Sequence, residues 1–273
     1  MLVDGRKIAE EIREELAGSF SKPSSDDFYP PALSIFWVGD ELAMAKFISA
    51  KSRFAEAIGV EIHLNNIKKE EAVTQKIIEA IVEAKSDHFV RGVVVQLPLP
   101  KDIDTEKVLQ AIPKELDVDA LGPSPLVEAP VAAAVAEILK RVGLSVRGRK
   151  VLVIGQGRLV GRPVAEMFRC QGANVRIADI NTKDLSSLTL DSEIIVSGVG
   201  VPGLVRPEMV REGVVLIDAE TSESASKLVG DIDPACAFKA ALFTPTPGGL
   251  GPVTVAMLFQ NLLKLIELQA SPK

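Results

Sequence analysis

The sequence predicts an α/β protein of two domains, each built around a parallel sheet. The chain has 273 residues, a length that suits about two domains of ~100–200 residues each. Hydrophobic residues make up 47% of it but aromatic residues only 4%, so the core is mainly aliphatic, as in strands covered by helices. Strand and helix patterns alternate along the chain and restart after Gly148. This alternation is typical of βαβ units and therefore of parallel sheets.

The first domain is predicted from alternating periodicities. Ile8, Ile12 and Leu16 recur every four residues and indicate a helix over 4–17. A stretch rich in Ser, Pro and Asp follows and predicts a loop over 21–31. The remaining predictions are strands over 32–38, 60–64 and 92–97 and helices over 43–58 and 70–85.

The second domain begins beyond a Gly-Pro-Ser-Pro break at 122–125. We predict a connecting helix over 127–142, a helix over 159–170 and strands over 150–154, 174–178, 193–197 and 214–218. A last helix over 253–268 is expected to return to the first domain, because nothing downstream remains for it to complete. The predicted domains are therefore 1–125 with 253–273, which is discontinuous, and 126–252.

Composition disfavours several function classes. The net charge is −6 with no basic tail, so nucleic-acid binding is not expected. Two histidines and two cysteines leave little material for a metal cluster, a zinc site or a serine triad, so no metal is predicted. Neither a targeting segment nor ~18 consecutive apolar residues is visible. We therefore expect a cytoplasmic protein without a membrane partner.

A glycine-rich turn joins strand 150–154 to the following helix. Small residues let the backbone approach a phosphate, and the free N–H groups at a helix N-terminus bind the anion. This context predicts a dinucleotide site, although a tight turn without a ligand is the alternative. The candidate cofactor-binding residues of the turn are Gly155, Gln156, Gly157, Arg158 and Gly161.

Asp179 ends the next strand and completes this candidate cofactor site. A carboxylate there accepts hydrogen bonds from a ribose 2′-hydroxyl and repels a 2′-phosphate. The charge thus favours NAD over NADP. The alternative is a solvated Asp that caps the turn before Asn181.

Lys51 lies within an apolar helical stripe formed by Met44, Phe47, Phe54 and Ile58. A buried ammonium is costly unless it is paired, hydrated or used, and its desolvation favours proton transfer near neutral pH. The alternative is a lysine at the edge of the stripe whose charged end reaches water.

Two further polar segments stand out, one at the end of a predicted strand and one just before the break at 122–125. Gln96 and Pro98 end the strongest strand of the first half, where an amide can hold a lysine or a substrate carbonyl. Asp117 and Asp119 face one side if their segment is extended, and either carboxylate can grip the paired N–H groups of an amino-heterocycle. The alternatives are a strand end stiffened by prolines and a solvated turn.

The segment 244–252 holds three glycines and three prolines before the last helix. Such a composition fixes an unusual loop and leaves a helix N-terminus open, beyond what a plain connector needs. Taken in order, the lysine helix, 96–100, 117–119, the glycine turn and 247–252 resemble the methylenetetrahydrofolate dehydrogenase/methenyltetrahydrofolate cyclohydrolase family. The resemblance spans nearly the whole chain.

The resemblance implies a parallel-sheet N-terminal catalytic domain, a Rossmann-like dinucleotide-binding domain and a folate cleft between them. It implies oxidation of 5,10-methylenetetrahydrofolate with NADP or NAD, hydrolysis of the methenyl product to 10-formyltetrahydrofolate, and a homodimer. Lys51 matches the lysine of the Tyr-x-x-x-Lys motif, Gln96 its partner and Asp119 the pterin-binding acid. The implied folate contacts are Phe47, Pro98, Pro247, Gly248 and Gly249. The resemblance also adds Thr221 to the candidate cofactor-binding residues.

Four motifs depart from the family pattern. Phe47 replaces the motif tyrosine, and residues 128–132 replace Pro-Cys-Thr-Pro. Residues 155–157 replace Gly-Arg-Ser, for which Arg158 or Arg176 could compensate, and 218–222 replace Asp-Val-Gly-Ile-Asn. Three alternatives therefore stay open: a catalytically weakened folate- or nucleotide-binding homologue, a dehydrogenase without efficient cyclohydrolase activity, and a Rossmann dehydrogenase for another substrate.

Overall fold

The computed structural model describes residues 1–20, 29–39, 41–220, 222–224 and 227–270. The chain forms two compact units, which we name by their main sheets. The five-stranded unit comprises Met1–Ala9 and Val131–Thr254, and the three-stranded unit comprises Glu10–Pro130 and Val255–Lys273. The prediction had grouped residues 1–9 with the first domain. They group with the five-stranded unit because the Val3 N–H donates to the Phe243 carbonyl.

The three-stranded unit is a parallel sheet with the order β2-β1-β3. The central strand β1 is buried along almost its whole length, as expected for a parallel strand covered on both faces. The elements in chain order are α1 (Gly5–Ala17), β1 (Ala32–Val38), α2 (Glu41–Ile58), β2 (Glu61–Ile67), α3 (Thr74–Ser86), β3 (Val90–Val95) and α4 (Thr105–Gln110).

The five-stranded unit is a parallel sheet with the order β10-β7-β6-β4-β5. The chain leaves β4 for β5 on one side and returns to β6 on the other, so the sheet has a switch point between β4 and β6. Its elements are α5 (Pro130–Arg141), β4 (Lys150–Ile154), α6 (Gly161–Cys170), β5 (Asn174–Ala178), α7 (Leu185–Asp191), β6 (Ile194–Ser197), β7 (Val214–Asp218), β8 (Ser222–Ser224), β9 (Lys227–Val229) and β10 (Ala240–Thr244). The last helix, α8 (Leu250–Ala270), begins in this unit and belongs to the three-stranded unit from Val255 onward, as the sequence predicted for a helix that returns to the first domain.

The predicted fold class, α/β with parallel sheets in two domains, is confirmed. The prediction missed the helices α4 and α7, the edge strand β10 and the two-stranded sheet of β8 and β9. The two helices have only six and seven residues, which is too few for a helical periodicity to show. Residues 21–28 of the predicted loop lie outside the described residues.

Helix α8 corrects the expectation that no segment is long and apolar enough to cross a membrane. By length and composition alone it meets that criterion, with 21 residues and a mean hydropathy of 1.2 in its most apolar window. Its side chains nevertheless pack inside the protein, where Phe259, Leu262 and Leu265 are fully buried. These contacts are those of a core helix.

Candidate active site

Lys51 and Gln96 meet at the carboxyl end of the three-stranded sheet. The Gln96 N–H donates to the Phe36 carbonyl at 2.8 Å and continues the pairing of β3 with β1. The Lys51 Nζ lies 3.0 Å from the Gln96 Oε1 and donates to it. Burial lowers the pKa of Lys51, against the opposing effect of the Asp119 charge. The lysine of the apolar stripe is therefore partnered inside the protein.

Asp119 completes this cluster, and Asp117 has a different role. Burial raises the pKa of Asp119 to about 6, although the Lys51 charge acts to lower it. The Asp117 carboxylate is buried and accepts the N–H groups of Leu121 at 3.1 Å and Gly122 at 2.7 Å. The two acids therefore do not act as an equivalent pair, because Asp117 caps the turn that presents Asp119.

The glycine turn lies at the switch point of the five-stranded sheet. Gly155 has φ +100°, and a Cβ there would come within 2.7 Å of Val199 and 3.0 Å of the Gly198 carbonyl oxygen. A Cβ at Gly161 would come within 2.1 Å of the Gly155 carbonyl oxygen. A Cβ at Gly157 would have no neighbour within 4 Å. Two glycines are thus required by packing, whereas Gly157 leaves open space beside the turn.

Asp179 lies beside this turn and is exposed. Its Oδ2 accepts from the Gln156 side-chain amide at 3.0 Å, and its Oδ1 accepts the Asn181 N–H at 2.9 Å. Asp179 thus caps its own turn and also contacts the glycine turn. Arg176 does not compensate for the missing phosphate ligand, because its guanidinium pairs with Asp191. Arg158 is half-buried within the turn.

A buried acidic network holds the carboxyl edge of the same sheet, and the sequence analysis did not detect it. The Asp231 carboxylate accepts from the Ser197 hydroxyl and from the N–H groups of Val199 and Val201, at 2.7–2.8 Å. The Asp218 carboxylate accepts the Asp231 N–H at 3.1 Å, and burial raises its pKa to about 7. The network therefore fixes the loop after β6 that packs against Gly155.

The glycine–proline loop is packed against the N-terminus. A Cβ at Gly5 would lie 1.6 Å from the Gly249 carbonyl oxygen, and the Gly5 N–H donates to the Gly248 carbonyl at 3.0 Å. Gly248 itself has φ +98°, and the peptide bond before Pro247 is cis. The loop is thus a defined structure rather than a plain connector.

Of the remaining predicted site residues, the structure describes Pro98 but not the side chain of Phe47 or Thr221. Pro98 is exposed next to Gln96, with a cis peptide bond before it. Phe47 lies on α2, but its side chain is outside the described residues, and Thr221 is also outside them. The three-stranded unit thus carries a lysine–amide–carboxylate cluster, and the five-stranded unit carries a glycine-rich turn.

A parallel sheet with a glycine turn at its switch point defines a dinucleotide-binding unit of the Rossmann type. The molecule is accordingly a two-domain α/β protein in which the three-stranded unit carries a buried cluster of a lysine, an amide and a carboxylate. Two protein-family models match the chain: the tetrahydrofolate dehydrogenase/cyclohydrolase catalytic domain over residues 3–119 and the NAD(P)-binding domain of the same family over residues 129–270. The chain belongs to this family, which removes the alternative of a Rossmann dehydrogenase from another family.

Individual relatives agree with this assignment. The chain is 34% identical over 275 residues to the bifunctional protein FolD of Halothermothrix orenii, covering 96% of each chain. It superposes on the bifunctional FolD methylenetetrahydrofolate dehydrogenase/cyclohydrolase of Campylobacter jejuni with a TM-score of 0.92 and 31% identity, covering 98% of this chain and 99% of that one. The Trypanosoma brucei enzyme, solved with NADP and an inhibitor, gives a TM-score of 0.93 at 30% identity and covers 100% and 99%.

Proposed function

We propose that this protein oxidises 5,10-methylenetetrahydrofolate with NAD(P) and hydrolyses the methenyl product to 10-formyltetrahydrofolate. The observation that carries the proposal is the contact between Lys51 and Gln96 beside Asp119, within a chain of this family. The enzyme thus acts in one-carbon folate metabolism.

Each residue of the cluster has a distinct role in this reaction. Asp119, ionised above about pH 6, accepts the paired N–H donors of the pterin ring and orients the substrate. Lys51, whose pKa is lowered by burial, takes a proton from the water that attacks the methenyl carbon and returns it to the ring nitrogen as the bond between that nitrogen and the bridge carbon breaks. The remaining hydroxyl proton is released to solvent as the formyl carbonyl forms. Gln96 holds the lysine in position through its side-chain carbonyl.

The cofactor fits the five-stranded unit, because Gly157 leaves space beside a turn that leads into the N-terminus of α6. When bound, the nicotinamide would accept the hydride from the methylene group of the substrate. Gly155, Gly157, Gly161 and the N–H groups of the turn are assigned to the pyrophosphate. Asp179 is assigned to the ribose 2′-hydroxyl, which favours NAD over NADP.

A catalytically weakened homologue is the second candidate function. The replacement of the motif tyrosine by Phe47 favours it, and so do the altered residues 128–132. The retained Lys51–Gln96 contact opposes it. Binding of methylenetetrahydrofolate without turnover would select this candidate.

We also propose a cytoplasmic homodimer. Within the described sheet β2 is an edge strand, and Leu64 on it is 52% exposed. An edge strand with unpaired backbone groups and an exposed apolar side chain is a surface that a second copy can cover. Analytical ultracentrifugation measures the oligomeric state, and a monomer at working concentrations would contradict this part of the proposal.

The test of the function is Lys51→Met, compared with the exposed Lys68→Met as a matched control. Methenyl hydrolysis is expected to fall by at least about 100-fold in Lys51→Met, since a proton carrier contributes about 10²–10⁴-fold. Folate binding is expected to persist, because Asp119 is unchanged. Lys68→Met is expected to behave as the unmodified enzyme. Unchanged hydrolysis in Lys51→Met would overturn the assignment of Lys51.

A further inference from the structure

Asn261 on α8 is a buried amide that contacts the backbone at both ends of one segment, 118–128, in the three-stranded unit. Its side chain is only 7% exposed. The Nδ2 donates to the Val118 carbonyl at 2.9 Å and to the Glu128 carbonyl at 2.8 Å. One donor group thus clamps both ends of the segment 118–128, of which 123–126 are exposed.

The first of these carbonyls belongs to the residue immediately before Asp119. After Asp119 the backbone turns at Ala120, which has φ +56°, and Asp117 caps the following N–H groups. A left-handed turn of this kind persists only where its surroundings hold it. The Asn261 amide supplies the contact on the N-terminal side of Asp119.

The same helix also supports the partner of Asp119. Phe259, two residues before Asn261, stacks on Phe54 with ring centroids 5.1 Å apart and an interplanar angle of 12°. Phe54 lies three residues after Lys51 on α2, and therefore on the same face of that helix. One short stretch of α8 thus contacts both the helix that bears Lys51 and the segment that bears Asp119.

We infer that Asn261 is a positioning residue that sets Asp119 against Lys51 by holding the Val118 and Glu128 carbonyls. The inference rests on the proposed function insofar as Asp119 binds the folate. It assigns to Asn261 no contact with substrate. Its effect is to limit where the Asp119 backbone lies.

The experiment uses the full-length enzyme with Asn261→Leu, which removes both donors at similar volume. Asn261→Ser retains one hydroxyl donor and serves if the Leu variant does not fold. The control is Gln260→Leu, which changes the neighbouring, exposed amide. Hydrogen exchange of the amides at 118–122 reports the segment directly and requires no turnover. Steady-state kinetics and the pH profile of kcat/KM for methylenetetrahydrofolate report the site.

We expect exchange at 118–122 to accelerate at least about tenfold in Asn261→Leu, less in Asn261→Ser, and not in Gln260→Leu. The KM for the folate is expected to rise by about tenfold while the KM for the dinucleotide changes less than about twofold. The acidic limb of the pH profile is expected to move to lower pH, because water reaching Asp119 lowers its pKa. A loss of folded protein alone would lower kcat and leave both KM values and the pH profile unchanged.

Two failures are distinguishable. Unchanged exchange at 118–122, or equal changes in both KM values, would overturn the role of Asn261 whatever the enzyme's activity. Absence of turnover in the unmodified enzyme would contradict the proposed function, and accelerated exchange in Asn261→Leu would then still support the clamp.

Discussion

Burial and charge act in opposite directions on the Lys51 ammonium. Desolvation lowers its pKa, and the nearby Asp119 carboxylate raises it. The Gln96 carbonyl accepts a hydrogen bond without adding a charge. A carboxylate at position 96 would raise the lysine pKa and keep the amine protonated. The neutral partner therefore suits the proton-transfer role proposed for Lys51, because it leaves the lowered pKa of the lysine in place.

Asp119 is expected to make the folate reaction sensitive to acid. Its pKa is raised to about 6 by burial, so the carboxylate loses its charge as the pH falls through about 6. Because only the charged form accepts both pterin N–H donors well, kcat/KM for methylenetetrahydrofolate is expected to fall about tenfold per pH unit below that value. In Asp119→Asn, kcat/KM is expected to be low at every pH and to show no such decrease below about pH 6. If the decrease persisted in Asp119→Asn, it would arise from another titrating group.

Asp179 is expected to make the enzyme bind NAD at least as tightly as NADP. Its carboxylate repels a 2′-phosphate, and Arg176, which pairs with Asp191, does not neutralise it. In Asp179→Ser we expect the ratio of the NADP to the NAD dissociation constant to fall by about tenfold, a change that corresponds to about 1.4 kcal/mol, because the repulsive carboxylate is removed. Calorimetric titration of both nucleotides measures the ratio. Much tighter NADP binding by the unmodified protein would refute the preference, and an unchanged ratio in the variant would leave Asp179 as a turn cap only.

At the scale of single elements, we expect two glycines of the turn between β4 and α6 to have different roles, Gly161 in packing and Gly157 in dinucleotide binding. A methyl group at Gly161 would overlap the Gly155 carbonyl, whereas one at Gly157 would meet only open space. We expect Gly161→Ala to lower the free energy of unfolding by about 1–3 kcal/mol. Gly157→Ala is expected to keep its unfolding midpoint and to bind the dinucleotide at least about tenfold more weakly. Equal thermal shifts in the two variants would contradict this division.

The elements also show what a sequence can and cannot predict. The strands β1, β4 and β7 follow from nearly continuous apolar runs, and Lys51 and Gln96 stand out as polar groups at predicted structural positions. Asn261 gives no such signal, because its two acceptors lie 143 and 133 residues away in the chain. Such contacts depend on tertiary packing, which local periodicity does not report.

At the scale of the molecule, the five-stranded unit contains two buried acids that stabilise it unequally. Asp231 accepts three hydrogen bonds, one from Ser197 at the end of β6 and two from the loop that follows. Asp218 is 2% exposed and lies against Gly230, where a Cβ would approach its Oδ2 to 1.7 Å. The charge of Asp231 also disfavours ionisation of Asp218. The unit therefore tolerates one buried negative charge better than two.

The stability of this unit is accordingly expected to decrease as the pH rises towards neutrality. Asp218 has a pKa of about 7 when folded and 3.8 when unfolded, so the folded state binds more protons between these values. The contribution of Asp218 to the free energy of unfolding therefore falls by up to about 4 kcal/mol as the pH rises between these two values, and it stays constant at higher pH. Asp218→Asn cannot ionise, so its unfolding free energy relative to the unmodified protein is expected to increase from about pH 5 to about pH 8. Hydrogen exchange of the β6 and β7 amides under urea reports this unit alone. Asp191→Asn is the control, because the lysine and arginine partners of Asp191 lower its pKa and its window lies below about pH 4. If the free energy of unfolding of Asp218→Asn depended on pH in the same way as that of the unmodified protein, Asp218 would be ionised in the folded state from about pH 5 to about pH 8.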